Sequence, residues 1–336
     1  EEYAFGGCKQ LSQITFAGSA PTIASDAFYN VTATVDYPFT DTTWTASVMK
    51  NYSGTLTWKG ATGTCGTGVQ WELAYRNSSA VLTISGSGAM NDYTADTVPW
   101  KDHMDSIKTL EVGAGVTSVG AYALYDADSL TTVKLADSVT AVGNYAFASC
   151  DTLTSLSLGS GLQSIGDYAF MFLKATALQL PDSLKTVGKS AFHSSSLKSI
   201  AFGSKMQSIG YLAFGSCTSL ETVDLGTGVT TLDQYAFNNC TKLQKIEVPA
   251  SVTSIGAYAF RWCYDLRYAE FLGNAPSIGS YAFGNCIALV EINVPESVTG
   301  IDSYAFYDCK SLSSVTINNA PAVIGAYAFS SCESLT

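Results

Sequence analysis

The chain has 336 residues, 47% of them hydrophobic and only 13% charged, with a formal net charge of −11. That balance excludes intrinsic disorder, which needs low hydrophobicity with high net charge, and it excludes nucleic acid as partner, which needs clustered Lys and Arg. No apolar run approaches the ~20 residues of a membrane-spanning helix, so no membrane insertion by this segment is expected.

Tyr3-Ala4-Phe5 opens the chain in the middle of a pattern, which predicts that the chain is a piece of a longer one, and Phe28 repeats Phe5 after 23 residues. Asn30 to Pro38 alternates apolar and polar side chains as a half-buried strand does. Thr43-Trp44 opens a short helical segment through Tyr52, and Gly54 to Trp58 reads as another strand. Residues 1–60 are therefore expected to be the C-terminal end and cap of a preceding repeat array.

Residues 61–106 follow a different pattern. Trp71 to Tyr75 and Val81 to Gly86 alternate on either side of a turn at Arg76-Asn77-Ser78-Ser79, which predicts a β-hairpin. Ser87 to Met90 reads as a loop, and Pro99-Trp100 as the start of a short helix, with proline suited to the first helical position. This segment is expected to cover the open end of the core that follows.

From residue 107 to 336 one unit repeats about ten times. The Phe of Tyr-Ala-Phe-x-x-Cys falls at 147, 170, 192, 214, 237, 260, 283, 306 and 329, with Leu124 in one position, at intervals of 23 or 22 residues. A period this regular marks stacked coils of one small unit, none able to bury its own apolar face. In Leu243-Gln-Lys-Ile246-Glu-Val248 the apolar spacing is that of an inward-facing strand, and Pro249 punctuates it. Gly256, Asp in two coils, reads as the cap or turn before a short helix over Ala257 to Phe260.

The pattern L-x-x-[VI]-x-[LVF]-x-x-x-V-T-x-I-G-x-Y-A-F-x-x-C resembles the BspA-like leucine-rich repeats of bacterial surface proteins, over 107–336 and in 1–30. The resemblance implies an α/β leucine-rich-repeat solenoid: a right-handed arc with parallel strands on one face and short helices and turns on the other, here with a small β-rich cap. It further implies secretion or cell-surface display and adhesion to host or matrix protein or glycan. The family motif contains no catalytic residues.

Little else in the chain suggests chemistry. Eight of nine cysteines form one column, three residues after the motif Phe, with Leu173 and Ser195 replacing the thiol in the short coils. Substitution by Leu and Ser points to free, buried, inert thiols. Coils ~10 Å apart, as packed helices would be, would also exceed the ~7 Å reach of a disulfide; a bridge involving Cys65 stays open. No spacing fits a metal site, no cofactor motif is present, and no enzyme is expected. His193 reads as a solvent-facing substitution and His103 as part of a capping helix. The Tyr column two residues before the motif Phe reads as a packed ridge, with a carbohydrate-stacking stripe as the other possibility.

The outward positions of the strands are where a partner would bind. Coils 107–203 carry small, nearly uncharged residues there. Later coils carry an acidic column, Asp224, Glu247 and Glu270, with Glu291 beside it and Tyr268 flanking. Such a strip suits a basic partner segment or a cation, or serves only solubility. Trp262 interrupts a small-residue turn, as an anchor for protein contacts or as packing against the next coil. The expected function is a monomeric secreted or cell-surface binding module for an extracellular protein or glycan, with a structural spacer in a larger protein as the alternative.

Overall fold

Ile246 and Val248 are buried on the strand Lys245–Val248 while Lys245 and Glu247 face solvent, and the same alternation holds along the array. The computed structural model describes residues 1–336 apart from 39, 40, 42, 46, 77, 78, 274–276 and 319–322. The coils from 107 onward, except the one that begins at 175, run through a face strand, a short second strand such as Ser254–Ile255, and a turn that carries the Tyr-Ala-Phe motif or its equivalent. The result is a parallel β-solenoid.

The second strands form one 11-stranded sheet from Gly88–Ala89 to Val323–Ile324. The face strands form two sheets. One of eight strands runs from Gln13–Thr15 to Ser155–Ser157, and one of six from Ser199–Ala201 to Ser314–Ile317. Between them lies the first 22-residue coil, whose preceding turn is one residue short; there the face pairing is reduced to a single bridge, Ala177 to Ser199. The eight-stranded sheet passes through residues 61–106: Thr55–Gly66 pairs antiparallel with Val69–Arg76, which pairs antiparallel with Ser79–Gly86. Ser79–Gly86 then pairs parallel with Ile107–Val112, so the hairpin hands the sheet to the array. Thr55–Gly66 extends well past Trp58 and across residue 60. The centre of the expected turn at 76–79 lies outside the described residues.

The short helices are the main correction to the sequence reading. The one helical segment among the described residues is the 3-10 helix Lys101–Ser106, and 43–52 is turn, bend and irregular backbone where described. In the repeat, Tyr258 (φ 63°) and Trp262 (φ 65°) are both left-handed, four residues apart, and the equivalent pair recurs from coil to coil. An α-helix needs φ near −60° throughout. Good local helix formers are overruled by lateral hydrogen bonding. The N–H groups of Tyr258, Phe260 and Trp262 bond the carbonyls of Ser280, Ala282 and Gly284 in the next coil, while those of Ala259, Arg261 and Cys263 bond back three residues. Every alternate amide therefore serves as a rung between coils.

The Gly256 column also has a different cause from the one expected. Its glycines are not left-handed. A β-carbon at Gly256 would instead lie 2.5 Å from the Asp233 carbonyl carbon of the preceding coil. Close stacking, not a helix cap, demands the missing side chain.

The core is a set of ladders. Phe147 to Phe329 stack ring on ring without a break, with centroids 5.1–5.5 Å apart. The Phe rings from 147 to 306 are essentially fully buried. Burial contributes roughly 1.5–3 kcal/mol per ring, and stacking adds about 0.5–1.5 kcal/mol per pair. The 22-residue coils leave this ladder intact while they interrupt the face sheet.

Candidate binding site

Four consecutive strands of the six-stranded face sheet bring most of the predicted strip together. Lys245–Val248 and Tyr268–Phe271 pair in register, placing Glu247 beside Glu270 and Lys245 beside Tyr268. Tyr268 in turn lies beside Glu291, and Glu291 beside Ser314. Two outward columns result, one of Lys245, Tyr268 and Glu291, the other of Glu247, Glu270 and Asn293. Asp224 ends the strand Thr222–Asp224 and turns inward on itself, its Oδ1 accepting the Gly226 N–H at 2.8 Å.

Carboxylates on adjacent strands repel one another mildly, and here a cation intervenes. The Lys245 ammonium lies 2.7 Å from Glu247 Oε1 and 3.0 Å from Glu270 Oε2. These hydrogen bonds, Glu247 first and Glu270 second, hold the Lys245 ammonium above its ordinary range. Glu291 makes no ion pair among the described residues. Lys245 was visible in the sequence as an outward residue, but its bond to Glu270, 25 residues on, depends on strand register.

A groove of about 750 Å³ opens along this strip. Its floor is apolar, made by Ala269, Phe271 and Ile292, and its rim is polar, made by Lys245, Glu270, Glu291, Asn293 and Thr316. The Tyr268 side chain stands 49% exposed at its edge. Across the sheet break, a second depression of about 560 Å³ is lined by Leu178, Gln179, Asp182, Ala201 and Asp224 among others.

Trp262 does not join the groove. It lies on the turn side of its coil, half-buried, with the Arg261 guanidinium 4.1 Å above its ring. The same guanidinium stands 4.8 Å from the Tyr281 ring centroid and 5.4 Å from that of Tyr258. It therefore fastens Trp262 to the tyrosine ridge. In that ridge Tyr235, Tyr258, Tyr281, Tyr304 and Tyr327 stack face to face at 4.6–5.2 Å. Their ring faces are used on one another, so the ridge offers a sugar only edges. Where Ser190 and Leu212 interrupt the ridge, the Lys189 ammonium bridges the gap, 5.5 Å from Tyr168 and 5.6 Å from Tyr211.

The match to a family model decides what kind of protein this is: residues 1–48, 102–217, 163–283 and 253–336 match the BspA-type leucine-rich repeat region, in six copies. The chain belongs to the BspA-type leucine-rich repeat family. It is similar to three solved bacterial structures. A leucine-rich repeat protein of Eubacterium ventriosum is 23% identical, covering 82% of this chain and 96% of that one, with a TM-score of 0.42. One from Bacteroides ovatus is 20% identical, covering 81% and 92%, with a TM-score of 0.41. A leucine-rich cell surface protein of Faecalibacterium prausnitzii is 22% identical, covering 82% and 94%, with a TM-score of 0.38. No curated protein matches the chain significantly.

Apart from the exposed Cys8, the cysteines and histidines of this BspA-type chain are packed into or against its core. All nine cysteines are free, seven of them buried. Coil spacing is near 5 Å at the Phe ladder, half that expected, so distance is not what keeps them apart. The column thiols from Cys150 to Cys332 point at backbone carbonyls instead: Cys240 Sγ donates to Phe214 O at 3.2 Å and Cys263 Sγ to Phe237 O at 3.3 Å. Burial pushes the Cys217 thiol up to about 11 and that of Cys263 to about 12. His193 is half-buried beside the Phe172 ring, with Nδ1 shielded from solvent, which corrects its expected solvent-facing position. Burial lowers its pKa, as it does that of His103, whose Nδ1 lies 3.3 Å from the Tyr75 hydroxyl.

Proposed function

We propose that this chain is a non-catalytic binding module, secreted or displayed on a bacterial cell surface, that presents its face sheet to an extracellular protein or glycan. The groove over Tyr268, Phe271 and Glu291 carries this reading: an exposed aromatic side chain, an apolar floor and an uncompensated carboxylate lie together on one rigid sheet. Ligand sites are concave and largely apolar, with a few placed polar groups. In this reading residues 1–60 close a preceding array, 61–106 cap the array that follows, and 107–336 form a monomeric platform. Among the described residues no helix is long and apolar enough to cross a membrane.

A spacer role accords with the small, nearly uncharged outward residues of the face between 132 and 203. Binding of the purified chain to matrix proteins, mucins and polysaccharides, at low and high salt, separates the two readings. Saturable binding that Tyr268→Ala abolishes without unfolding is the expected result. Silence across the panel from the folded chain refutes the binding module and leaves the spacer.

A further inference from the structure

We infer that the groove takes an extended basic peptide segment, seating one of its Lys or Arg side chains between the Tyr268 ring and the Glu291 carboxylate. This rests on the binding-module reading and names the chemistry of its partner. The first support is charge complementarity. Glu270 and Glu291 line the groove and Glu247 stands beside it, against the single ammonium of Lys245, leaving this part of the strip at −2 on a chain of net −11.

The second support is that the strip already holds a cation. Lys245 sits within 3.0 Å of two carboxylates contributed by adjacent coils, so strand spacing and register here suit an ammonium bridging two strands. One coil further the carboxylate pair is not repeated, since Asn293 follows Glu270 in that column; in the column of Lys245 itself Tyr268 and Glu291 lie side by side, with no cation against Glu291 among the described residues. The third support is the floor. Ala269, Phe271 and Ile292 offer an apolar surface beneath that pair. The aliphatic stem of a Lys or Arg covers such a surface while its charged head stays at the polar rim, and a cation lying over a tyrosine face gains a further attraction.

Lys245 is then an internal competitor. It neutralises Glu247 and Glu270, and so confines the ligand's cation to the Glu291 side. Removing its charge frees Glu270 on the rim of the groove and Glu247 beside it, and strengthens binding. A purely structural ion pair gives no such gain.

The test uses the whole chain and three extended probe peptides in which Thr alternates with Arg, Gln or Glu, with binding followed by calorimetry. The Arg peptide is expected to bind saturably, and more weakly as salt rises. Glu291→Gln and Tyr268→Ala are each expected to weaken it about ten-fold, the worth of one charge-assisted contact. Lys245→Ala is expected to tighten it several-fold, and Glu111→Gln, on the other half of the face, to leave it unchanged. Circular dichroism checks that each variant is folded. Equal affinity for the Arg and Gln peptides, or weaker binding by Lys245→Ala, overturns the inference. If those peptides fail while a neutral glycan or matrix protein binds and Tyr268→Ala abolishes it, the binding module stands and the basic partner falls. Silence from every probe removes both.

Discussion

Gly256 is stacked so closely on Asp233 that a β-carbon on the glycine would lie 2.5 Å from the carbonyl carbon of its neighbour. Both positions are fixed by the backbone, at a point where adjacent coils share a rung: the Gly256 N–H bonds the Leu232 carbonyl at 2.8 Å. No side-chain rotation can relieve such a contact. Gly256→Ala is therefore expected to destabilise the chain by about 1–3 kcal/mol, as overpacking does. Gly300 is the control, since nothing lies within 4 Å of a β-carbon there. Gly300→Ala is expected to be neutral or to stabilise by about 0.4–1 kcal/mol through the unfolded chain. Urea denaturation of the two variants decides, and equal effects would contradict the stacking account.

The Phe ladder makes a second prediction. Phe237 is fully buried between Phe214 and Phe260, at centroid distances of 5.3 and 5.5 Å. Phe237→Ala removes one ring and two stacked contacts, and is expected to cost about 3–5 kcal/mol. Because each coil touches mainly its neighbours, the loss is expected to uncouple the array, so that denaturation shows two transitions instead of one. Calorimetry or tyrosine fluorescence through the transition reads this directly.

Thiol reactivity separates the cysteines by position. Cys8 is exposed, and Cys332 is half-buried with its pKa lowered by a hydrogen bond from Cys309. These two are expected to react with a chromogenic disulfide reagent in the native protein, and the other seven only after denaturation. Rapid native labelling of more than two thiols would mean that the column opens.

The same column sets an alkaline limit. The thiols of Cys217 and Cys263 are raised from 9.0 to about 11 and about 12. Their contribution is complete below pH 9, where both folded and unfolded chains keep the proton. Above it the unfolded chain ionises first, so stability falls as pH rises towards the folded values, by up to about 1.4 kcal/mol per pH unit for each thiol. Thermal melts between pH 8 and 11 are expected to show this decline, and Cys263→Ala to make it shallower. A flat profile would contradict it.

Much of the architecture is written in local order. The interval from Phe237 to Phe260 to Phe283 states that one coil lies on the next, and Leu243, Ile246 and Val248 state which side of it faces in. A repeated unit forces this reading, because each inward column has the same neighbours above and below. Three things depended on contacts between coils, which no single unit encodes. Ala257 to Phe260 favours a helix locally, yet lateral bonds to Ser280 and Ala282 hold it as a left-handed turn. Trp262 looks like an exposed anchor, but Arg261 pins it to Tyr281. Lys245 meets Glu270 only because parallel register sets residues 25 apart on neighbouring strands. Sequence by itself determined the repeat, its inward columns and the location of the charged strip, since those follow from spacing along the chain. Tertiary structure alone decided the turn, the fate of Trp262 and the charge balance of the groove, since each is settled by hydrogen bonds and ion pairs that join one coil to another.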